Sequence, residues 1–230
     1  MTEIKNRLQA VMQQIREAEI AANRPEKSVK LLAVSKTWPA DKLRALALAG
    51  QQDFGENYLQ EALAKITDLA DLALTWHFIG PIQSNKTRDI AAHFDWVHSV
   101  DRLKIAQRLN TQRPEGLPPL NICLQVNIDD EDSKAGVVPA ELTALAEAIQ
   151  ALPNLRLRGL MVIPKATDDT AAQHDAFRRS FELYKDLQQL DGVDTLSMGM
   201  SGDLTAAIAE GSTIVRIGTA LFGQRHTQGQ

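Results

Sequence analysis

The chain has 230 residues, 44% hydrophobic and 23% charged, a makeup that supports a sizeable core without disulfides or metal clips. Its net charge of −4 supplies no electrostatic footprint for nucleic acid or an acidic membrane surface, and neither is expected as a partner. A single cysteine, Cys123, excludes an intrachain disulfide and a cysteine-rich metal centre.

The opening residues Met1-Thr2-Glu3-Ile4-Lys5 carry no apolar leader, and no apolar run approaches the roughly 18 residues of a membrane span, so a cytoplasmic location is expected. Ile4, Leu8, Val11, Ile15 and Ala18 recur at spacings of three and four, which predicts an amphipathic helix within 1–24, ending near Asn23-Arg24-Pro25. Short β-rich runs then alternate with helical patterns. The predicted strands are 30–35, 52–55, 75–79, 96–99, 120–128, 156–163, 195–198 and 214–217. Helices are predicted near 40–49, 57–70, 84–93, 101–110, 139–151, 170–190 and 203–210, with a last short turn at 219–222. Several strands are almost continuously apolar, which suits a parallel sheet covered on both faces. Eight such βα units without a linker predict one domain over 1–230, a (β/α)8 TIM-type barrel with an extra N-terminal helix. The polar tail 224–230 is expected to be flexible.

In a βα barrel the functional groups collect where strands end, because those loops converge on one face. Ser201-Gly202 follows the seventh strand and Gly218-Thr219 the eighth, the places where this fold often holds a phosphate. Backbone N–H groups and hydroxyls there suit an anion, and helix capping is the alternative for each pair taken alone. Lys36 follows the apolar run Leu31-Leu32-Ala33-Val34-Ser35. By itself it reads as a surface cation. Beside a phosphate site it becomes an amine able to attack an aldehyde, and pyridoxal 5'-phosphate is an aldehyde that bears a phosphate.

Asn57, after the second strand, could hydrogen-bond a cofactor or simply close a turn, and Asn127 is placed similarly. His77 in the third strand is a candidate cofactor contact or a hydrogen-bonded wall residue, and His98 could serve alike. No histidine or carboxylate spacing suggests a metal. The acidic run Asp129-Asp130-Glu131-Asp132 reads as a solvated loop, and Cys123 as an inert core thiol.

The segments AVSKTW (33–38), FGENYLQE (54–61), WHFIGPIQSNK (76–86), HSVDR (98–102), QVN (125–127), SKAG (133–136), RGLMVIP (158–164), LSMGMSGD (196–203) and VRIGTALFG (215–223) complete the picture. With them the chain resembles, over nearly its whole length, the YggS-type family of pyridoxal phosphate homeostasis proteins, whose fold is similar to the barrel of alanine racemases. That resemblance implies that Lys36 forms the Schiff base, an internal aldimine, with pyridoxal 5'-phosphate. It implies that Ser201, Gly202, Gly218 and Thr219 bind the phosphate, and that Arg216 faces the pyridine nitrogen. A permanent cation there disfavours ring protonation and hence carbanion chemistry. Lys134 stands where the racemases carry an arginine near the cofactor; it is a candidate cofactor contact or part of a second pyridoxal-phosphate site, with pairing to the acidic run as the alternative.

The racemases draw a second base, a tyrosine, from a further C-terminal β-domain. This chain stops soon after Phe222-Gly223 and holds only Tyr58 and Tyr184, while Met161-Val162-Ile163-Pro164 is apolar where the racemases place a histidine. The expected protein is therefore a monomeric binder rather than an enzyme. It would keep intracellular pyridoxal phosphate in balance and deliver it to apo-enzymes, with a weak amino-acid racemase as the alternative.

Overall fold

The computed structural model describes residues 2–129, 131 and 135–223. Eight parallel strands close into a barrel in sequence order, and the first pairs with the last. They are β1 (Lys30–Val34), β2 (Asp53–Glu56), β3 (Thr75–Phe78), β4 (Trp96–Val100), β5 (Leu120–Val126), β6 (Leu155–Val162), β7 (Thr195–Ser197) and β8 (Ile214–Ile217). The helices are α1 (Thr2–Ala21), α2 (Ala40–Leu48), α3 (Leu59–Asp68), α4 (Thr87–His93), α5 (Leu103–Gln112), α6 (Leu142–Gln150), α7 (Thr170–Leu187), α8 (Leu204–Ala209) and α9 (Thr219–Phe222). The expected TIM-type barrel with an extra leading helix is the observed fold.

Amphipathic periodicity sets the outer layer. Leu8, Val11, Ile15 and Ala18 form the buried stripe of α1, which packs on α2, α8 and α9. Leu8, Val11 and Ile15, removed from water, contribute roughly 1.5–3 kcal/mol each, and the Ala18 methyl less. The end of α1 is tied down by polar groups. Buried Glu19 accepts from the backbone N–H of Val29 at 2.9 Å and of Lys27 at 3.2 Å, and Arg24 donates to the Ser212 carbonyl at 2.6 Å.

Element ends depart from the sequence reading where backbone hydrogen bonds change partner. The fifth strand stops at Val126, two residues early, because Asn127 N–H turns to the Val137 carbonyl at 3.0 Å. The helical patterns near 84–93 and 139–151 each begin with a 3-10 turn, Ser84–Lys86 and Pro139–Glu141, before α4 and α6. Asp129 is engaged rather than solvated: it accepts from the Lys165 N–H at 2.6 Å and pairs with Arg179 at 3.3 Å. Asp130, Asp132 and the tail 224–230 lie outside the described residues.

The barrel interior is not uniformly apolar. Leu32, Trp96, Cys123 and Met161 are buried, with the Arg158 guanidinium 4.6 Å over the Trp96 ring. Among them run buried His77, His98, Ser197 and Arg216.

Candidate functional site

At the C-terminal end of the strands a cavity of about 380 Å³ opens. Lys36, Asn57, Ser201, Gly202, Arg216, Gly218 and Thr219 all line it, so the ends of four strands, β1, β2, β7 and β8, bring seven of the nine singled-out residues together. Val34, Trp38, Ile79, Ile163, Met200 and Gly223 complete the wall. Among the described residues the lining holds two cations, Lys36 and Arg216, and no carboxylate. Such a cavity favours an anion with an apolar body.

Lys36 is half-buried and sits in a constrained turn. The Trp38 N–H donates to the Ser35 carbonyl at 3.1 Å, which makes Lys36 and Thr37 the central residues. Thr37 has φ of 68°, a left-handed conformation unusual for a β-branched residue. Strain of this kind costs on the order of 1–3 kcal/mol and persists only where neighbours enforce it. Here they do. Glu61 accepts from the Thr37 N–H at 2.5 Å, and the buried Lys65 ammonium donates to the Ser35 carbonyl at 2.8 Å and to Glu56 at 2.7 Å. Lys65 also pairs with Glu61, and the Ser35 hydroxyl donates to Glu56 at 2.6 Å. Burial pushes the Glu56 carboxyl up, against the opposing hydrogen bonds from Lys65 and Ser35.

Arg216 is 5% exposed and held by three bonds: to the Ser197 carbonyl at 2.7 Å, the Ser197 hydroxyl at 2.9 Å and the Val162 carbonyl at 2.8 Å. Among the described residues it makes no ion pair of its own. Burial lowers it to about 10, which leaves it cationic at neutral pH.

The loop after β7 is closed on itself, Asp203 accepting from the Met200 N–H at 2.5 Å. Within it a Cβ added to Gly202 would meet no atom within 4 Å, so that backbone stands open to a ligand. Thr219 begins α9, where the Leu221 and Phe222 N–H groups donate to the Gly218 carbonyl at 3.0 and 3.1 Å, so the donors that suit an anion are those of its first two residues. Asn57 Oδ1 is buried without a hydrogen-bond partner, an acceptor left for something other than the protein. Its backbone is pressed against Gly80, where a Cβ would lie 2.1 Å from the Asn57 carbonyl oxygen. An amine, a guanidinium, open glycine backbone and hydroxyls around one cavity fit an aldehyde-bearing phosphate ester.

Two singled-out residues are not part of this wall. His77 is fully buried beneath it, and both ring nitrogens are taken, Nδ1 by His98 at 2.9 Å and Nε2 by Asp53 at 3.0 Å. It has no nitrogen left for a cofactor, which corrects the reading as a contact and leaves the hydrogen-bonded wall role. Lys134 lies outside the described residues, as does Ser133. The sequence reading gave no role to Trp38, which stacks on Phe222 at 5.6 Å and walls the cavity, nor to Ser197, Glu56 and Lys65. Trp38 was within sight, two residues from Lys36; the others carry no local signal.

Tyr58 and Tyr184 are absent from the cavity lining, and Tyr184 is buried in α7. Among the described residues no three metal-ligating side chains gather, and no helix is long and apolar enough to cross a membrane.

Comparison with known proteins agrees with this geometry. The alanine racemase N-terminal domain family matches residues 7–226. The chain is 65% identical over 225 residues to the pyridoxal phosphate homeostasis protein of Pseudomonas aeruginosa, covering 98% of this chain and 97% of that one. It is 54% identical over 230 residues to the protein of the same name in Vibrio cholerae, covering 98% of each. PipY of Synechococcus elongatus, solved without and with PLP bound, matches at 41% and 40% identity with TM-scores of 0.86 and 0.84, over 96% of this chain and 100% of that one. The chain therefore belongs to the alanine racemase N-terminal domain family and, within it, to the pyridoxal phosphate homeostasis proteins.

Proposed function

We propose that the chain binds pyridoxal 5'-phosphate in the strand-end cavity, in a Schiff base with Lys36, and serves its homeostasis. One observation carries the reading: Lys36, Arg216 and both glycine loops line a single cavity of about 380 Å³ with no carboxylate among its described lining residues. The names of the relatives and the PLP-bound PipY structure support it.

In this reading Ser201, Gly202, Gly218 and Thr219 hold the phosphate through hydroxyls and backbone N–H groups. Arg216 stands at the ring nitrogen and disfavours its protonation, and the Asn57 side-chain oxygen Oδ1 accepts from the ligand or its water. When bound, the cofactor supplies an aldehyde that the Lys36 amine captures with loss of water. Lys36 and Arg216 are the only titratable side chains among the described lining residues, so none of those residues offers Lys36 the opposing acid–base group of a racemase. The chain thus acts by holding and releasing cofactor. We extend the reading to one domain over 1–230, a cytoplasmic monomer that hands the cofactor to apo-enzymes.

The test is a titration of purified protein with pyridoxal phosphate, followed by visible absorption. The band of the lysine-bound cofactor should form with the native chain and vanish in Lys36→Ala. A Lys36→Ala protein that keeps the band would sink the assignment. Exchange of the alanine α-hydrogen in deuterated water at about 1 per second or faster, dependent on Lys36, would replace the binder with an enzyme. Sedimentation of the native chain checks the monomer.

A further inference from the structure

The buried polar groups of the barrel interior form one chain. The Arg216 guanidinium meets the Ser197 hydroxyl at 2.9 Å, and Ser197 Oγ meets His98 Nδ1 at 3.0 Å. His98 Nε2 meets His77 Nδ1 at 2.9 Å, and His77 Nε2 meets Asp53 Oδ1 at 3.0 Å. His77, His98 and Ser197 have no exposed surface, so no water can substitute for a missing partner at little cost. Asp53 is the first residue of β2, on the opposite face of the barrel from the cavity.

With both rings neutral, the donors and acceptors leave one consistent assignment. An ionised Asp53 only accepts, so His77 carries its proton on Nε2. Its Nδ1 then accepts, which puts the His98 proton on Nε2 as well. His98 Nδ1 in turn accepts, so the Ser197 hydroxyl donates to it and leaves a lone pair for Arg216. Reversing either ring leaves two protons or two lone pairs facing each other inside the barrel, at a cost of about 1–3 kcal/mol.

The surroundings favour this state. Burial lowers His77, with Lys30 adding to that and Asp53 and Asp95 opposing. Burial, His77, Arg216 and Lys30 all lower His98, well below the usual histidine range. Burial works to raise Asp53, but the hydrogen bond and charge of His77, with Lys30, outweigh it and hold the carboxyl low. Arg216 makes no hydrogen bond to a carboxylate among the described residues; Asp203 acts on it through space, and along the hydrogen-bonded chain its nearest anion is Asp53, four links away.

We infer that Asp53, His77, His98 and Ser197 are positioning residues for Arg216. Two neutral Nε2–H imidazoles pass the direction of hydrogen bonding from the barrel floor to the guanidinium at the mouth. The effect on ligand rests on the proposed placement of pyridoxal phosphate against Arg216; the proton arrangement does not.

Imidazole ¹⁵N NMR on the ligand-free chain decides the arrangement without any substitution. Both rings should appear as neutral Nε2–H tautomers that do not titrate between pH 6 and 8. An Nδ1–H tautomer on either ring, or titration in that range, overturns the inference.

The coupling is read from Asp53→Ala against Asp53→Asn. Both lose the charge that pairs with Lys30 at 3.1 Å, and only the amide keeps an oxygen to accept from His77. Asp53→Ala should disturb the His98 resonances and weaken pyridoxal phosphate binding roughly 3- to 10-fold, about one hydrogen bond's worth. Asp53→Asn should restore both. Native His98 signals and native affinity in the alanine variant would refute the coupling. An absent lysine-bound band in the native chain would instead refute the proposed function, with the tautomers still deciding the relay.

Discussion

The ammonium of Lys65 donates to the carbonyl oxygen of Ser35 at 2.8 Å, so the residue before Lys36 is pinned by a cation buried in α3. The same ammonium pairs with Glu56 at 2.7 Å, while Glu61, one turn before Lys65, accepts from the Thr37 N–H at 2.5 Å. The lysine of the cavity is thus flanked on both sides by anchors rooted in one buried ion cluster, which holds Thr37 in its left-handed conformation.

Removing that cation isolates a charge. Lys65→Met leaves Glu56, which has no exposed surface, without its cation and with only the Ser35 hydroxyl donating to it. Breaking a buried pair from one side costs about 3–5 kcal/mol, whereas replacing both members can be close to neutral. Urea unfolding should therefore show a large loss for Lys65→Met and recovery of most of it in Glu56→Gln/Lys65→Met. The double variant still lacks the bond to Ser35, and its pyridoxal phosphate affinity should stay below native. A double variant as unstable as the single one would mean that packing, not charge, makes the difference.

The two interior histidines give stability a pH dependence. Both are lowered in the folded chain by burial, so below their unfolded value of about 6.5 the unfolded chain binds more protons. Stability is then greatest above pH 6.5 and declines as pH falls toward the folded values, at up to about 1.4 kcal/mol per pH unit for each ring. Asp53 adds to the decline further down, because its lowered carboxyl must be protonated. Unfolding at pH 7, 6 and 5 measures this, and a flat profile would show that both rings take up protons in the folded chain as readily as in the unfolded one.

Cys123 offers a check on the interior. Its thiol is fully buried in β5 and pushed up to about 12, chiefly by burial, so almost no thiolate exists at neutral pH. An aromatic disulfide reagent should find no reactive thiol in the folded chain and one in denaturant. Fast labelling of the native protein would contradict the closed, packed barrel.

How far the sequence could be read followed from how local each signal was. Strand one and its terminal lysine are a contiguous run, 31–36, and the glycine loops at 201–202 and 218–219 sit at predictable strand ends, so the fold and the cavity wall were legible. The relay was not. His77 and His98 are 21 residues apart, Ser197 a further 99, and only barrel closure sets them within 3.0 Å. Sequence leaves His77 open between a cofactor contact and a wall residue, because it gives a strand's end but not which nitrogen is already occupied. Glu61 and Lys65 have the spacing of an ordinary helix-surface pair. What buries Lys65 is the docking of α3 over Ser35 and Glu56, which no periodicity reveals.

Gly202 separates the fold from the site. Its φ lies outside the left-handed range and a Cβ there meets nothing within 4 Å, so alanine is tolerated by the folded chain. Restricting the unfolded chain should even stabilise it by about 0.4–1 kcal/mol. Yet the new methyl projects into space that the proposed phosphate occupies, and it screens the backbone N–H groups of the loop. Gly202→Ala should therefore unfold at the same or a slightly higher temperature while binding pyridoxal phosphate roughly 10-fold more weakly, or about 1.4 kcal/mol. Free pyridoxal, which lacks the phosphate, should bind native and variant chains alike. Equal weakening toward both ligands would place the methyl against the ring and move the phosphate to the Gly218-Thr219 loop alone.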